Sequence, residues 1–149
     1  TKQPAMPRRV ATKVPEDLSF SLLIVEDHKM NQIVAQRTIQ KKWPNVQVEV
    51  ADNGRVALDI LESKSIDLVL MDIQMPVLDG IETLKIIRNQ MPEPLASLPV
   101  LAITAHANIA QQAQFQQIGF NDHVFKPFEP EQLFAAVERQ LEQNLRKTN

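Results

Sequence analysis

Beyond Phe20 the sequence keeps returning to one alternation: a short apolar run of strand length, then a segment whose apolar residues recur at helical spacing, five times over. Few folds accommodate such a chain. Successive parallel strands need a crossover, and a helix that packs back on the sheet supplies it while burying its own apolar stripe. The pattern therefore predicts an α/β domain with a parallel sheet covered by helices on both faces. The runs Ser21–Val25, Ile66–Met71 and Val100–Ile103 are nearly all apolar, as strands buried on both faces are. The run Val46–Val50 instead alternates valines with Gln47 and Glu49, which predicts a half-exposed strand at the sheet's border. A short fifth strand falls at about Asp122–Phe125. Val56, Ala57, Ile60 and Leu61 form one helical stripe, Leu84, Ile87 and Met91 another, and Leu133, Val137, Leu141 and Leu145 a third. The helix from about Asn108 to Gln117 is rich in glutamine and has the weakest stripe, so it is expected to be the least firmly packed.

Composition removes several function classes. The 149 residues suffice for one domain with a genuine core. Residues 1–19, with Pro4, Pro7 and Pro15 and no periodic apolar pattern, read as a poorly structured linker, residues 20–146 as the domain and 147–149 as a tail. With 16 Lys+Arg against 18 Asp+Glu, nothing argues for a nucleic-acid partner. The absence of cysteine excludes disulfides, thiolate nucleophiles and cysteine-bound zinc, and suits a cytoplasmic location. Gly54, Gly80 and Gly119 lie too far apart for a dinucleotide-binding turn or a P-loop. No apolar run approaches the roughly 18 residues of a membrane span, so no membrane contact is expected within this chain.

What remains is chemistry by carboxylate, hydroxyl, lysine or histidine, and these gather where the strands end. The first strand runs into Glu26 and Asp27, the third into Asp72, the fourth into Thr104 and the fifth into Lys126. In an open parallel sheet the carboxyl ends of the strands share one rim, where ligands bind. Three carboxylates brought together there repel and raise one another's pKa unless a cation intervenes. Mg²⁺ is the natural remedy, because it takes one or two carboxylates, several waters and a substrate phosphate. Lys126 would then neutralise phosphoryl oxygens, the Thr104 hydroxyl would donate to one of them, and an aspartate oxygen would be the nucleophile. A lone strand-end Asp is more often a turn residue or a helix cap. Around Asp72, however, Pro76 and Asp79-Gly80 already supply the turn chemistry, and it is the combination that carries the inference.

These residues resemble the receiver domain of two-component response regulators. The likeness rests on Val25-Glu26-Asp27, on Met71-Asp72 followed by Met75-Pro76 and Asp79-Gly80, on Thr104-Ala105 and on Lys126-Pro127, and it covers about Phe20 to Leu145. It implies a CheY-like, flavodoxin-like (βα)5 fold with strand order 2-1-3-4-5, a family that the general rule for doubly wound sheets itself uses as an example. It further implies that Asp72 is the phosphoacceptor and that Glu26, Asp27, Asp72 and the backbone carbonyl of Gln74 hold Mg²⁺. Thr104 and Lys126 would contact the phosphoryl oxygens, and the Lys126-Pro127 bond would be cis. Gln74 and His106 occupy positions that tune dephosphorylation. The family commonly places Tyr or Phe three residues before the lysine, as the partner of the threonine in switching. Here that position is His123, whose imidazole would make the Thr104-linked switch sensitive to pH. His28 reads as the start of the first helix and receives no role.

The wording from Val25 to Gln32 and from Asp72 to Pro76 is similar to receivers attached to hybrid sensor histidine kinases. The resemblance thus implies a histidine kinase or a histidine phosphotransfer domain as phosphodonor, self-catalysed phosphorylation and dephosphorylation of the aspartate, and a switched surface of fourth helix, fifth strand and fifth helix. It leaves a weak homodimer open, and no kinase core lies within this chain. Two other readings compete: a pseudo-receiver acting only as an interaction module, against which the complete acid, threonine and lysine set argues, and a haloacid-dehalogenase-like phosphatase. The latter typically needs a second Asp two residues after the nucleophile, where this chain has Gln74.

Overall fold

In the computed structural model, which describes residues 14–148 apart from 76 and 106–108, five strands form one parallel sheet. They are β1 (Ser21–Val25), β2 (Gln47–Ala51), β3 (Leu68–Asp72), β4 (Val100–Thr104) and β5 (Asp122–Phe125), in the order β2-β1-β3-β4-β5. The helices are α1 (Lys29–Lys42), α2 (Gly54–Ser63), α3 (Gly80–Gln90), α4 (Ile109–Ile118) and α5 (Pro130–Thr148), with a 3-10 turn at Leu95–Ser97. This is the expected doubly wound CheY-like architecture, with the alternating strand at the border.

Because successive side chains of a strand point to opposite faces, the all-apolar strands feed two cores at once. Leu22, Ile24, Leu68, Leu70, Leu101 and Ile103 pack with Ala35 and Ile39 of α1 and Leu133, Val137 and Leu141 of α5. On the other face Leu23, Val25, Val69, Met71, Val100 and Ala102 meet Ala57 and Leu61 of α2, Leu84 and Ile87 of α3 and Phe115 of α4. Among the described side chains of α4, Phe115 alone is buried, as the weak stripe predicts.

Two strands begin later than the apolar pattern suggests. Val46, the expected first residue of β2, donates its N–H to Trp43 (3.0 Å) and closes the turn after α1, so the ladder opens with Ser21 opposite Gln47. Ile66 is buried, but β3 starts at Leu68, paired with Leu22, because Asp67 is taken up in an exchange with Ser21. Apolar character marks burial, whereas the ladder marks where both chains run extended.

Caps fix the helix starts nearest the rim. The Asn53 side chain accepts from Val56 N at 3.0 Å, and Asp79 and Glu82 form a reciprocal capping box at the start of α3. At Gly80 a Cβ would run into the Asp72 carbonyl oxygen and stand 2.9 Å from Ile73 Cα. Only glycine lets α3 start against the end of β3. Contacts with the core also begin ahead of Phe20: Val14 is buried, Leu18 packs beside it, and Glu16 pairs with Lys42 at 3.1 Å. Trp43 is fully buried, edge-on to Phe20 and Phe134. No helix among the described residues is long and apolar enough to cross a membrane.

Candidate functional site

The sheet order decides which strand ends meet. With β1 and β3 adjacent and β4 next to β3, Glu26, Asp72 and Thr104 arrive at one rim, and all three are buried (5 %, 5 % and 2 % exposed). Asp72 and Thr104 close their strands, so their backbones are held by the ladder itself. Lys126 comes from just past β5. Its N–H donates to the Thr104 carbonyl at 2.8 Å, which aims its side chain inward, and the following bond to Pro127 is cis. Its Nζ lies 3.0 Å from Glu26 Oε1 and 3.2 Å from Asp72 Oδ2. One ammonium therefore bridges carboxylates from two neighbouring strands.

Burial opposes charge on every member, and the neighbours decide the outcome. For Glu26, burial raises the pKa, but the His28 N–H, the Lys126 ammonium and the Asn31 side chain outweigh it and hold the group below its usual value. For Asp72, burial and then the Glu26 charge push the pKa up, more than Lys126 and the Gln74 N–H pull it down. Burial alone would lower the Lys126 pKa; its two carboxylate partners raise it instead. An apolar groove of about 440 Å³, lined by Ile24, Val34, Ala35, Ile103, Pro127 and Phe128, opens beside Glu26 and Lys126. That wall keeps the local dielectric low and strengthens each of these interactions.

The donor set suits a hard cation. Glu26, Asp27 and His28 each offer a ligand atom, and these lie within 4.8 Å of one another. Asp27 Oδ1 is buried and accepts no hydrogen bond, a costly state for a carboxylate oxygen and one that a metal ion relieves. Asp72 is joined to this group through Lys126 and Glu26 rather than by direct clustering. Gln74 is exposed and donates its N–H to Asp72 Oδ1 at 3.2 Å, so its backbone runs against the acceptor carboxylate. His123 sits on β5 opposite Ala102, half-buried, its ring 5.0 Å from that of Phe125. His106 lies outside the described residues.

Four side chains around the acids escape a reading of strand ends. His28 starts α1 as expected, but its N–H also donates to Glu26 Oε2 at 3.1 Å and its Nδ1 lies 3.3 Å from Asp27 Oδ1. Asn31 reaches the Glu26 carboxylate. Gln32 donates to the Glu26 carbonyl and to Asp52. Spacing from Glu26 along the first turn of α1 was the available signal for the first three; nothing local marks Asp52.

This fold and this rim define a receiver. The family model of the response regulator receiver domain matches residues 22–138, and the chain belongs to that family. It is 35% identical over 137 residues to hybrid signal transduction histidine kinase K of Dictyostelium discoideum, covering 89% of this chain and 11% of that protein. It is 33% identical over 135 residues to the sensor histidine kinase GacS of Pseudomonas protegens, covering 88% and 14% respectively. The chain thus spans a small part of those curated relatives. Among solved structures it is similar to the receiver domain of the sensor histidine kinase PA1611 from Pseudomonas aeruginosa, which has a magnesium ion coordinated in its active site cleft (TM-score 0.74, 30% identity, 84% of this chain and 99% of that one). The chemotaxis protein CheY4 of Vibrio cholerae is also similar (TM-score 0.73, 27% identity, 82% and 98%).

Proposed function

We propose that this chain is the phosphoacceptor of a phosphorelay, taking a phosphoryl group from a phosphohistidine onto Asp72 in an Mg²⁺-dependent step. An Asp72 oxygen attacks phosphorus in line, the bond from phosphorus to the donor imidazole breaks, and its electron pair returns to the ring nitrogen. Bound Mg²⁺ would be held by Glu26, Asp27, Asp72 and the Gln74 carbonyl, and would offset the charge of the phosphoryl oxygens. Lys126 would supply a second, fixed positive charge, and the Thr104 hydroxyl would donate to a phosphoryl oxygen. The observation that carries the reading is the Lys126 ammonium, 3.0 Å from Glu26 and 3.2 Å from Asp72, with Asp27 next to Glu26 holding a buried oxygen that accepts no hydrogen bond.

Acyl phosphate on Asp72 changes what Lys126 and Thr104 hold, and their strands carry that change to the surface of α4, β5 and α5, with Thr104 and His123 as the switching pair. Gln74 and His106, two residues past Asp72 and Thr104 in the sequence, are the positions expected to tune how fast the acyl phosphate is lost. The kinship with hybrid kinases supports a parent of that kind, and with it a histidine kinase or histidine phosphotransfer domain as donor in the cytoplasm. Incubation with a small-molecule phosphodonor and Mg²⁺ should add one acid-stable, base-labile phosphoryl group, as acyl phosphates show. Asp72→Asn should abolish it, and an unchanged mass for the unsubstituted chain would overturn the reading in favour of a pseudo-receiver.

A further inference from the structure

The first turn of α1 carries a buried amide that phosphoryl chemistry does not use. Gln32 is 5 % exposed, and its Nε2 donates at 2.6 Å to the Glu26 carbonyl and at 2.7 Å to Asp52 Oδ1. Both protons of that nitrogen are therefore committed. The two acceptors come from separate segments: Glu26 follows β1, and Asp52 lies at the corner between β2 and α2.

The Glu26 carbonyl stands where the sheet lets go of the chain. The registers of β1 end at Val25, opposite Ala51 on one side and Met71 on the other. The Glu26 N–H still donates to the Ala51 carbonyl at 3.0 Å, so the residue is anchored on its amino side. On its carboxyl side the peptide plane carries the Glu26 oxygen and the Asp27 nitrogen together, so its rotation sets the direction in which the Asp27 side chain leaves the backbone. Gln32 holds that plane, and Asp52 braces Gln32 from the far side.

We infer that Gln32 is a positioning residue for the metal: by holding the peptide plane shared by Glu26 and Asp27, with Asp52 as its brace, it aims the acid pair at one cation. The inference rests on the reading of the rim as an Mg²⁺ site. Groups that orient metal ligands from behind typically change affinity by about 10- to 100-fold when removed. A side chain that merely filled space would alter stability and leave the affinity of the folded protein unchanged.

The test is calorimetric titration of the full chain with MgCl₂ alone, alongside thermal unfolding in metal-free buffer. Gln32→Met keeps the length and loses both donors, and is expected to weaken Mg²⁺ binding about 10-fold or more. Gln32→Arg retains a fork of donors and is expected to stay within about threefold of the unsubstituted protein. Asp52→Ala, at a largely exposed side chain, removes the brace and should weaken binding by about 10-fold, which keeps the inference testable if Gln32→Met does not fold. Met and Ala variants that bind Mg²⁺ as tightly as the unsubstituted chain, with only lower melting temperatures, would overturn the positioning role. An unsubstituted chain that takes up no Mg²⁺ would instead overturn the metal reading itself.

Discussion

The two ends of the sheet handle buried charge in opposite ways. At the end where β4 and β5 begin, the half-buried guanidinium of Arg88 donates to the carbonyls of Gly119 (2.8 Å), Leu98 (2.7 Å) and Ala96 (3.1 Å) and to Asn121 Oδ1 (2.9 Å). That same Asn121 oxygen accepts from Val100 N at 2.9 Å, so α3, the 3-10 turn, the end of α4 and two strand starts are knotted through one side chain. At the carboxyl rim Glu26 and Asp72 share the Lys126 ammonium, and beside Glu26 a buried Asp27 oxygen accepts no hydrogen bond. A completed network rigidifies; an incomplete one in a buried place stores a preference for whatever completes it. The first is architecture and the second is a binding site.

Four substitutions break or sharpen that contrast. The largest loss is expected from Lys126→Met, which leaves Glu26 and Asp72 as uncompensated buried acids. Urea unfolding in metal-free buffer should show a cost of about 4 kcal/mol, part of which returns when Mg²⁺ is added, since the cation then replaces the ammonium. Arg88→Met strands several carbonyls at the other end and should cost about 3 kcal/mol, with Mg²⁺ affinity by calorimetry unchanged. Loss of metal binding in that variant would show that the two ends are not independent.

Asp72→Asn should act in the reverse direction. The folded-state pKa of Asp72 lies above its ordinary value, so folding favours the protonated form and the ionised form destabilises the metal-free protein above that pKa. The asparagine variant is therefore expected to be the more stable at neutral pH, and its advantage should shrink as the pH falls through the folded-state pKa. A constant difference across denaturation curves from neutral to acid pH would contradict that account. The smallest effect is at Val77, exposed in the loop between β3 and α3 with φ at 71°. A β-branched residue is strained there, and Val77→Asn should gain about 1 kcal/mol by thermal unfolding without altering Mg²⁺ affinity.

Much of this could be read along the chain. The all-apolar strands, the valine alternation of β2 at the border, and the acids, threonine and lysine at the strand ends are local patterns, because periods of two and of 3.6 residues are written in consecutive positions. The Asn53 and Asp79 caps are local as well, since a cap and the amide it serves are three residues apart. The ladder starts of β2 and β3 were less legible, because the turn at Trp43 and the Asp67–Ser21 exchange decide them. His28, Asn31 and Gln32 look like the polar face of a helix, and only their distances to Glu26 and Asp27 show otherwise.

By itself, then, the sequence determined the kind of layers, the border strand and the chemical types gathered at the strand ends, since each follows from neighbours in the chain. The tertiary structure decided what those groups do to one another. Lys126 meets Glu26 across 100 positions and Asp72 across 54, and Gln32 meets Asp52 across 20. Such pairings depend on strand order and on the angle at which each helix leaves the rim. A carboxylate's proton affinity and metal affinity follow from those distances and from burial, neither of which is written in any short stretch of the chain.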